Sequence, residues 1–347
     1  MKKILYIAGA LSFMACSSSK YASKIEVKNV DQAAKYAASI TAKDLGTHLF
    51  TYASDEFEGR NTGEPGQKKA VEYLKKFYIK QGIDSPIGAD DYFQEVPAEF
   101  LNKGARKTSL KDSENVLAFI KGTEKPDEIV VISAHLDHEG IKNGEIYNGA
   151  DDDGSGTVAI LEIAEAFKMA TKAGKGPKRS ILFLHVTGEE KGLLGSKYYT
   201  ENPLFPLANT VCDLNIDMVG RTDERHKEDP NYVYLIGSDK LSTELHTLSE
   251  EINRKYTNIN LDYKYNHEND PNRFYYRSDH YNFAKHNIPI IFYFNGTHAD
   301  YHRPSDTPDK INYELLETRT RLVFHTAWEI ANRESRITAD KIKDIEK

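Results

Sequence analysis

The chain is poor in the residues that staple small secreted folds. It has 2 cysteines in 347 residues, which excludes a disulfide framework. No apolar run reaches the roughly 20 residues that a membrane-spanning helix needs. Nor is there a basic excess. Lys plus Arg is 46 and Asp plus Glu is 53, a formal net charge of −7, so a nucleic-acid partner is not expected. A Gly-x-Ser-x-Gly elbow is missing, which leaves a serine hydrolase without its nucleophile turn. Tryptophan occurs once, as Trp328, but 21 Tyr and 15 Phe can fill a core, and intrinsic disorder is excluded.

Both cysteines are accounted for without a bridge. Met1 to Cys16 starts with Lys2 and Lys3, continues through a short apolar stretch, and ends in Phe-Met-Ala-Cys before three serines. This resembles a bacterial lipoprotein signal, cut before a cysteine that is then acylated. The expected layout is a signal over 1–16, a tether over 17–30, one domain over 31–335 and a charged tail over 336–347. The resemblance implies a cell-envelope protein held to the membrane only through a lipid on Cys16. An ordinary secretory signal with an incidental cysteine is the rival. Cys212 lies in an apolar strand-like run and is expected to be a buried structural thiol.

Apolar periodicity sets out the rest. Helices are expected over Asp31–Ala53, Gln67–Gln81, Gly154–Met169, Leu241–Lys255 and Asn312–Arg333, with a frayed or surface helix beyond. Strands are expected at 115–120, 129–134, 180–186, 211–216, 232–236 and 288–294. Strands alternating with helices indicate a single α/β domain. Its central sheet should be mostly parallel or mixed, with helices on both faces.

The chemistry-bearing residues fall at the ends of the apolar runs, where open α/β sheets bind ligands. His135 and Asp137 are two apart and point to one side of an extended chain. Asp151, Asp152 and Asp153 precede a helix. Asp151 and Asp153, with Ser155, Gly156, Val158 and Glu162, also fit a calcium-loop pattern, but the preceding segment with Gly140, Gly144 and Gly149 denies that loop its entering helix. Glu189 and Glu190 are adjacent, so one can bind a metal while the other moves protons. Asp217 ends an apolar strand, a costly place for an unpaired carboxylate. His298 and His302 follow the last strand. Mixed His and carboxylate donors without cysteine suit a hydrolytic metal centre, with zinc the natural ion.

In order, His-Leu-Asp at 135–137, Gly-Ala-Asp-Asp-Asp-Gly-Ser-Gly at 149–156, Thr-Gly-Glu-Glu at 187–190, Asn-Ile-Asp-Met at 215–218 and Tyr-His-Arg-Pro-Ser-Asp-Thr at 301–307 resemble the M28 family of co-catalytic zinc aminopeptidases. Phe57-Glu58-Gly59-Arg60 and Ser278-Asp279-His280 are also similar to that family. The resemblance implies a zinc-exopeptidase fold of the phosphorylase/hydrolase-like kind, two zinc ions per chain and peptide substrates. It implies that Asp152 bridges both zincs, that His135 and Asp217 complete one site, and that Glu190 and His302 complete the other. Glu189 would be the general base, Asp137 would orient His135, and the Asp152–Asp153 peptide would be cis. Tyr275, or its neighbour Tyr276, would hold the substrate carbonyl. His138, His185, His280 and His298 are expected in supporting or structural roles. The other histidines, at 48, 226, 246, 267, 286 and 325, are expected at the surface or in packing. The rivals are a single-zinc glutaminyl cyclase of related fold, and a non-catalytic binding protein that kept the fold.

Overall fold

The computed structural model describes residues 30–103 and 109–342. The expected signal, the tether up to residue 29 with Cys16, and the last five residues of the tail lie outside them.

The chain opens with helices α1 (Val30–Ala37), α2 (Ala42–Tyr52) and α3 (Pro65–Gln81). The single helix expected over Asp31–Ala53 is therefore two. Thr41 stops it, because its hydroxyl accepts the Asp44 amide at 3.1 Å and starts a new helix there. Pro65 opens α3, where its missing N–H costs nothing, and Gly82 closes it at φ 69°. Next come β1 (Phe93–Val96), α4 (Ala98–Leu101), β2 (Ser113–Ile120), β3 (Lys125–His135) and a small hairpin of β4 (Gly140–Lys142) and β5 (Glu145–Tyr147). The second half runs α5 (Gly156–Lys172), β6 (Arg179–Val186), α6 (Leu194–Glu201), β7 (Thr210–Ile216), β8 (Tyr232–Ile236), α7 (Thr243–Tyr256), β9 (Asn260–Asp262), α8 (His280–Ala284), β10 (Ile290–Phe294) and α9 (Tyr313–Asn332).

Eight strands form one mixed sheet in the order β1-β2-β6-β3-β7-β10-β8-β9. The middle four, β6, β3, β7 and β10, are mutually parallel, so their carboxyl ends lie side by side. Every residue of β6 and β7 is buried, as continuous apolar strands covered on both faces require. Period-2 alternation divides the core. Val130, Ile132 and Ala134 join the cluster that holds α5 and α9 residues, whereas Ile129 and Val131 join the cluster with Tyr199 of α6 and Phe283 of α8. Helices thus cover both faces, as expected. Trp328 belongs to the larger cluster, its ring stacked on Phe167 at 5.6 Å.

The tail departs from expectation. No helix follows Asn332 among the described residues. The buried Arg179 guanidinium donates to the carbonyls of Ile330, Arg333 and Glu334, which satisfies the end of α9 and turns the chain away. Ile337 then buries into the core. Cys212 is fully buried, and burial pushes its thiol up from the ordinary value, so it is an inert packing group. No helix among the described residues is long and apolar enough to cross a membrane.

Candidate metal centre

The four parallel strands deliver the acidic and histidine-bearing motifs to one edge. His135 is the last residue of β3, fixed by its amide donating to Asp153 Oδ2 at 3.1 Å. Its Nδ1 lies 3.0 Å from the Asp137 carbonyl oxygen, so Nδ1–H donates there and the Nε2 lone pair is free to face inward. Nε2 lies 3.2 Å from Asp152 Oδ1 and 3.7 Å from Asp217 Oδ1. On the other side of Asp152, His302 Nε2 lies 3.0 Å from Oδ2 and 3.3 Å from Glu190 Oε2. The two oxygens of Asp152 therefore face two different histidines.

The Asp152 turn is held from several directions. Gly149 sits at φ 55°, and an added Cβ would meet the Asp152 carbonyl and the His138 ring within 2.4 Å. The Asp306 carboxylate accepts the amides of Asp151 at 3.0 Å and Asp152 at 3.2 Å. Asp153 turns away from the cluster and accepts the amides of His135, Gly156 and Met218, tying β3, α5 and the end of β7 together. The Asp152–Asp153 peptide is cis, as expected. Arg60 donates to the carbonyls of Leu136, Tyr52, Asn148 and Gly149, which clamps the end of β3 to this turn.

The fit to a cation can be read from what these groups do not do. His135 Nε2, Asp152 Oδ2, Glu190 Oε1 and both nitrogens of His138 are buried without a hydrogen-bond partner among the described residues. Several nonetheless lie within 3.3 Å of an opposite group. Short contacts that are misaligned for hydrogen bonding are what co-ligands of one ion show, because each lone pair aims at a shared point between them. Three sets of donors converge in this way: His135, Asp152 and Asp217; His138, Asp152 and Glu190; and Glu139, Glu190 and His302. Unpaired buried carboxylates are costly, and a divalent ion removes that cost. The field draws positive charge. Burial lowers the His302 ring, yet the Asp152 and Glu190 carboxylates outweigh it and push it up to about 10.

Glu189 lines the cavity beside Asp152, Asp217 and His302. Its amide donates to Asp137 Oδ1 at 3.1 Å, and Thr62 donates to Asp137 Oδ2 at 2.7 Å. Burial pushes the Glu189 carboxyl well up from the usual carboxylate range; His135 opposes this, and Glu190 and Asp217 add to it. The Asp137 carboxylate is 3.9 Å from His135 Nδ1. Its main chain orients the imidazole, while its side chain holds the Glu189 backbone.

Tyr275 does not line this cavity. Its ring packs against Tyr276, His280 and Tyr281, with Lys240 5.0 Å from its centroid. Tyr276 is not at the cavity either. A short helical turn at Phe274–Tyr276 sends the neighbours inward instead, so Phe274 and Arg277 line the cavity with Met218, Phe292, Phe294 and Tyr301. Sequence reasoning missed Tyr301, which stacks on His302 at 3.9 Å, although it lies beside that histidine in the motif. His138, expected in a supporting role, converges with Asp152 and Glu190. Of the histidines expected in supporting roles, His298 fits, with Nε2 3.1 Å from Asp151 Oδ2. His185 pairs with the Tyr78 hydroxyl at 2.7 Å, deep in the core. His280 contacts the Tyr275 carbonyl at 2.8 Å.

Known proteins resemble this chain in sequence profile and in fold. The sequence profile of Peptidase family M28 matches residues 115–327, more than half of the chain. Leupeptin-inactivating enzyme 1 of Streptomyces exfoliatus is 28% identical over 256 residues, which is 74% of this chain and 48% of that protein. The chain thus spans about half the length of that relative. The crystal structure of Legionella pneumophila LapA aminopeptidase superposes with a TM-score of 0.67 at 20% identity, covering 89% of this chain and 77% of that one. Bacteroides thetaiotaomicron glutaminyl cyclase superposes with a TM-score of 0.64 at 18% identity, covering 83% of this chain and 98% of that one. At these identities the structural likenesses carry the fold alone. Profile, fold and ordered motifs agree, and the protein belongs to peptidase family M28.

Proposed function

We propose that the protein is a di-zinc aminopeptidase that removes N-terminal residues from peptides. The observation that carries this reading is the divided carboxylate of Asp152, whose two oxygens face His135 on one side and His302 on the other. A shared aspartate of this kind suits two adjacent ions, with Asp217 completing one set and Glu190 the other. Zinc held there would polarise the scissile carbonyl and make a water nucleophilic near neutral pH. The chain's own part falls to Glu189. Its carboxylate borders the same cavity, and its backbone is pinned by Asp137, which suits it to take a proton from the attacking water and return it to the leaving amine. The aromatic wall of Phe274, Phe292 and Phe294 offers an apolar seat for a substrate side chain and limits water.

The rival glutaminyl cyclase reading shares its fold with the Bacteroides enzyme, and it expects one zinc rather than two. Metal analysis run beside a panel of aminoacyl and N-terminal-Gln peptides separates them. Two zincs per chain with release of N-terminal residues is the expected result. One zinc per chain with pyroglutamate formation would overturn it.

A further inference from the structure

The second half of the candidate centre holds a donor beyond those the motifs predict. His138 follows His-Leu-Asp and is completely buried. Its Nδ1 lies 2.8 Å from Glu190 Oε1 and 3.8 Å from Asp152 Oδ2. Neither the Nδ1 nor Glu190 Oε1 forms a hydrogen bond with a described residue, although the pair is close enough for one. The misalignment says that the ring nitrogen aims beside the carboxylate oxygen rather than at it. His302 reaches the same two carboxylates from the opposite side, and the two imidazoles stand 5.7 Å apart at 72°. His138 thus converges with Asp152 and Glu190, and His302 meets the same two carboxylates, on the other oxygen of Glu190.

We propose that His138 is a metal ligand through Nδ1, a fourth protein donor to the ion shared by Asp152, Glu190 and His302. His135, Asp152 and Asp217 would then offer three protein donors to one ion, and His138, Asp152, Glu190 and His302 four to the other. Binding at Nδ1 also gives a partner to one of the two buried orphan nitrogens of His138.

This assignment rests on the two-metal reading, and its test keeps the two apart. X-ray absorption at the zinc edge counts imidazoles on the metal without reference to activity. The zinc-loaded protein is expected to show three imidazoles shared by two zincs, and His138→Ala two, measured at saturating zinc. Cobalt-loaded His138→Cys is expected to gain a thiolate-to-cobalt charge-transfer band, a readout that a purely structural histidine would not give and that survives if the alanine variant folds poorly. An unchanged imidazole count in His138→Ala, or no new band in a folded, cobalt-loaded His138→Cys, would overturn the assignment. His135→Ala is the control. If it loses an imidazole while His138→Ala does not, only the His138 assignment falls. If neither loses one, the metal centre itself is wrong.

Discussion

Two regions of this protein bury carboxylates, and they resolve the cost in opposite ways. At the strand ends, burial works to raise Asp152, but His138, His135 and His302 hold it well below the usual carboxylate range. Between α2, α3 and α5, burial pushes Glu162 up to about 8, and the charges of Glu165 and Asp44 add to it. Its nearest positive candidate, His48, has Nε2 3.7 Å away, is itself lowered by burial, and turns its other nitrogen to the Tyr73 hydroxyl. An acid that the fold surrounds with converging donors is built for a cation. One that the fold merely surrounds with helix takes up a proton. Depth alone does not mark a functional acid; the direction of its neighbours' lone pairs does.

The sharpest break in this comparison would come at Glu189. Glu189→Gln should keep the metal content and lower turnover about 10²–10⁴-fold, the range of a lost general base. Substantial residual activity would remove Glu189 from the reaction. Asp152→Asn should next release metal from both halves at once, read as zinc per chain after dialysis. Full zinc content would show that Asp152 is not shared. Chelation should act in the same place. Zinc held at 100 times its dissociation constant stabilises the fold by about 2.7 kcal/mol, visible as a melting temperature that falls when zinc is removed. Glu162→Gln should respond to chelation as the parent does. A zinc-independent melting temperature in the parent would erase the distinction between the two regions.

Arg60→Ala tests the scaffold under the metal side. It removes a donor from four buried carbonyls, of which Leu136 keeps the Tyr52 hydroxyl and Gly149 the Gly154 amide, and losing even one partner outright costs about 1–3 kcal/mol, so urea should unfold the variant at clearly lower concentration. The remaining prediction concerns the pH dependence of stability and falls on Glu162. Its folded pKa of about 8 is raised above the unfolded value, so the neutral form is favoured in the fold. The stability it contributes is complete below the unfolded value and is lost as pH rises through the folded one. Glu162→Gln should therefore flatten the decline in stability between about pH 4 and pH 8, at up to about 1.4 kcal/mol per pH unit. A decline that persists in the variant would assign it to another group.

Much of this was legible in one dimension. The core strands at 180–186, 211–216 and 232–236 and the stop at Gly82 follow from apolar runs and turn chemistry, which are local properties of the chain. Of the metal-binding candidates, His135, Glu190 and Asp217 lie at or just past the end of an apolar strand, whereas the full set with Asp152 and His302 came from the resemblance of the ordered motifs. The short pieces β1, β4, β5, β9, α4, α6 and α8 were not legible, since their few residues carry too little periodicity to separate from loop. Tyr275 was misplaced because one turn of tight helix decides which of four successive side chains faces the cavity.

What the sequence by itself determined was the α/β class, the strand-end placement of the chemistry and the family. All three depend on alternation, ordered motifs and the cost of burying charge, which do not require knowing who touches whom. What only the tertiary structure decided was direction. Asp137 orients His135 through its carbonyl and not its carboxylate, His138 turns its ring into the cluster, and Asp153 turns its side chain away from it. Adjacent residues with similar chemistry differ in these roles because backbone torsion at a strand end sends their side chains to different places, and those torsions are set by contacts such as Arg60 and Asp306 from distant parts of the chain.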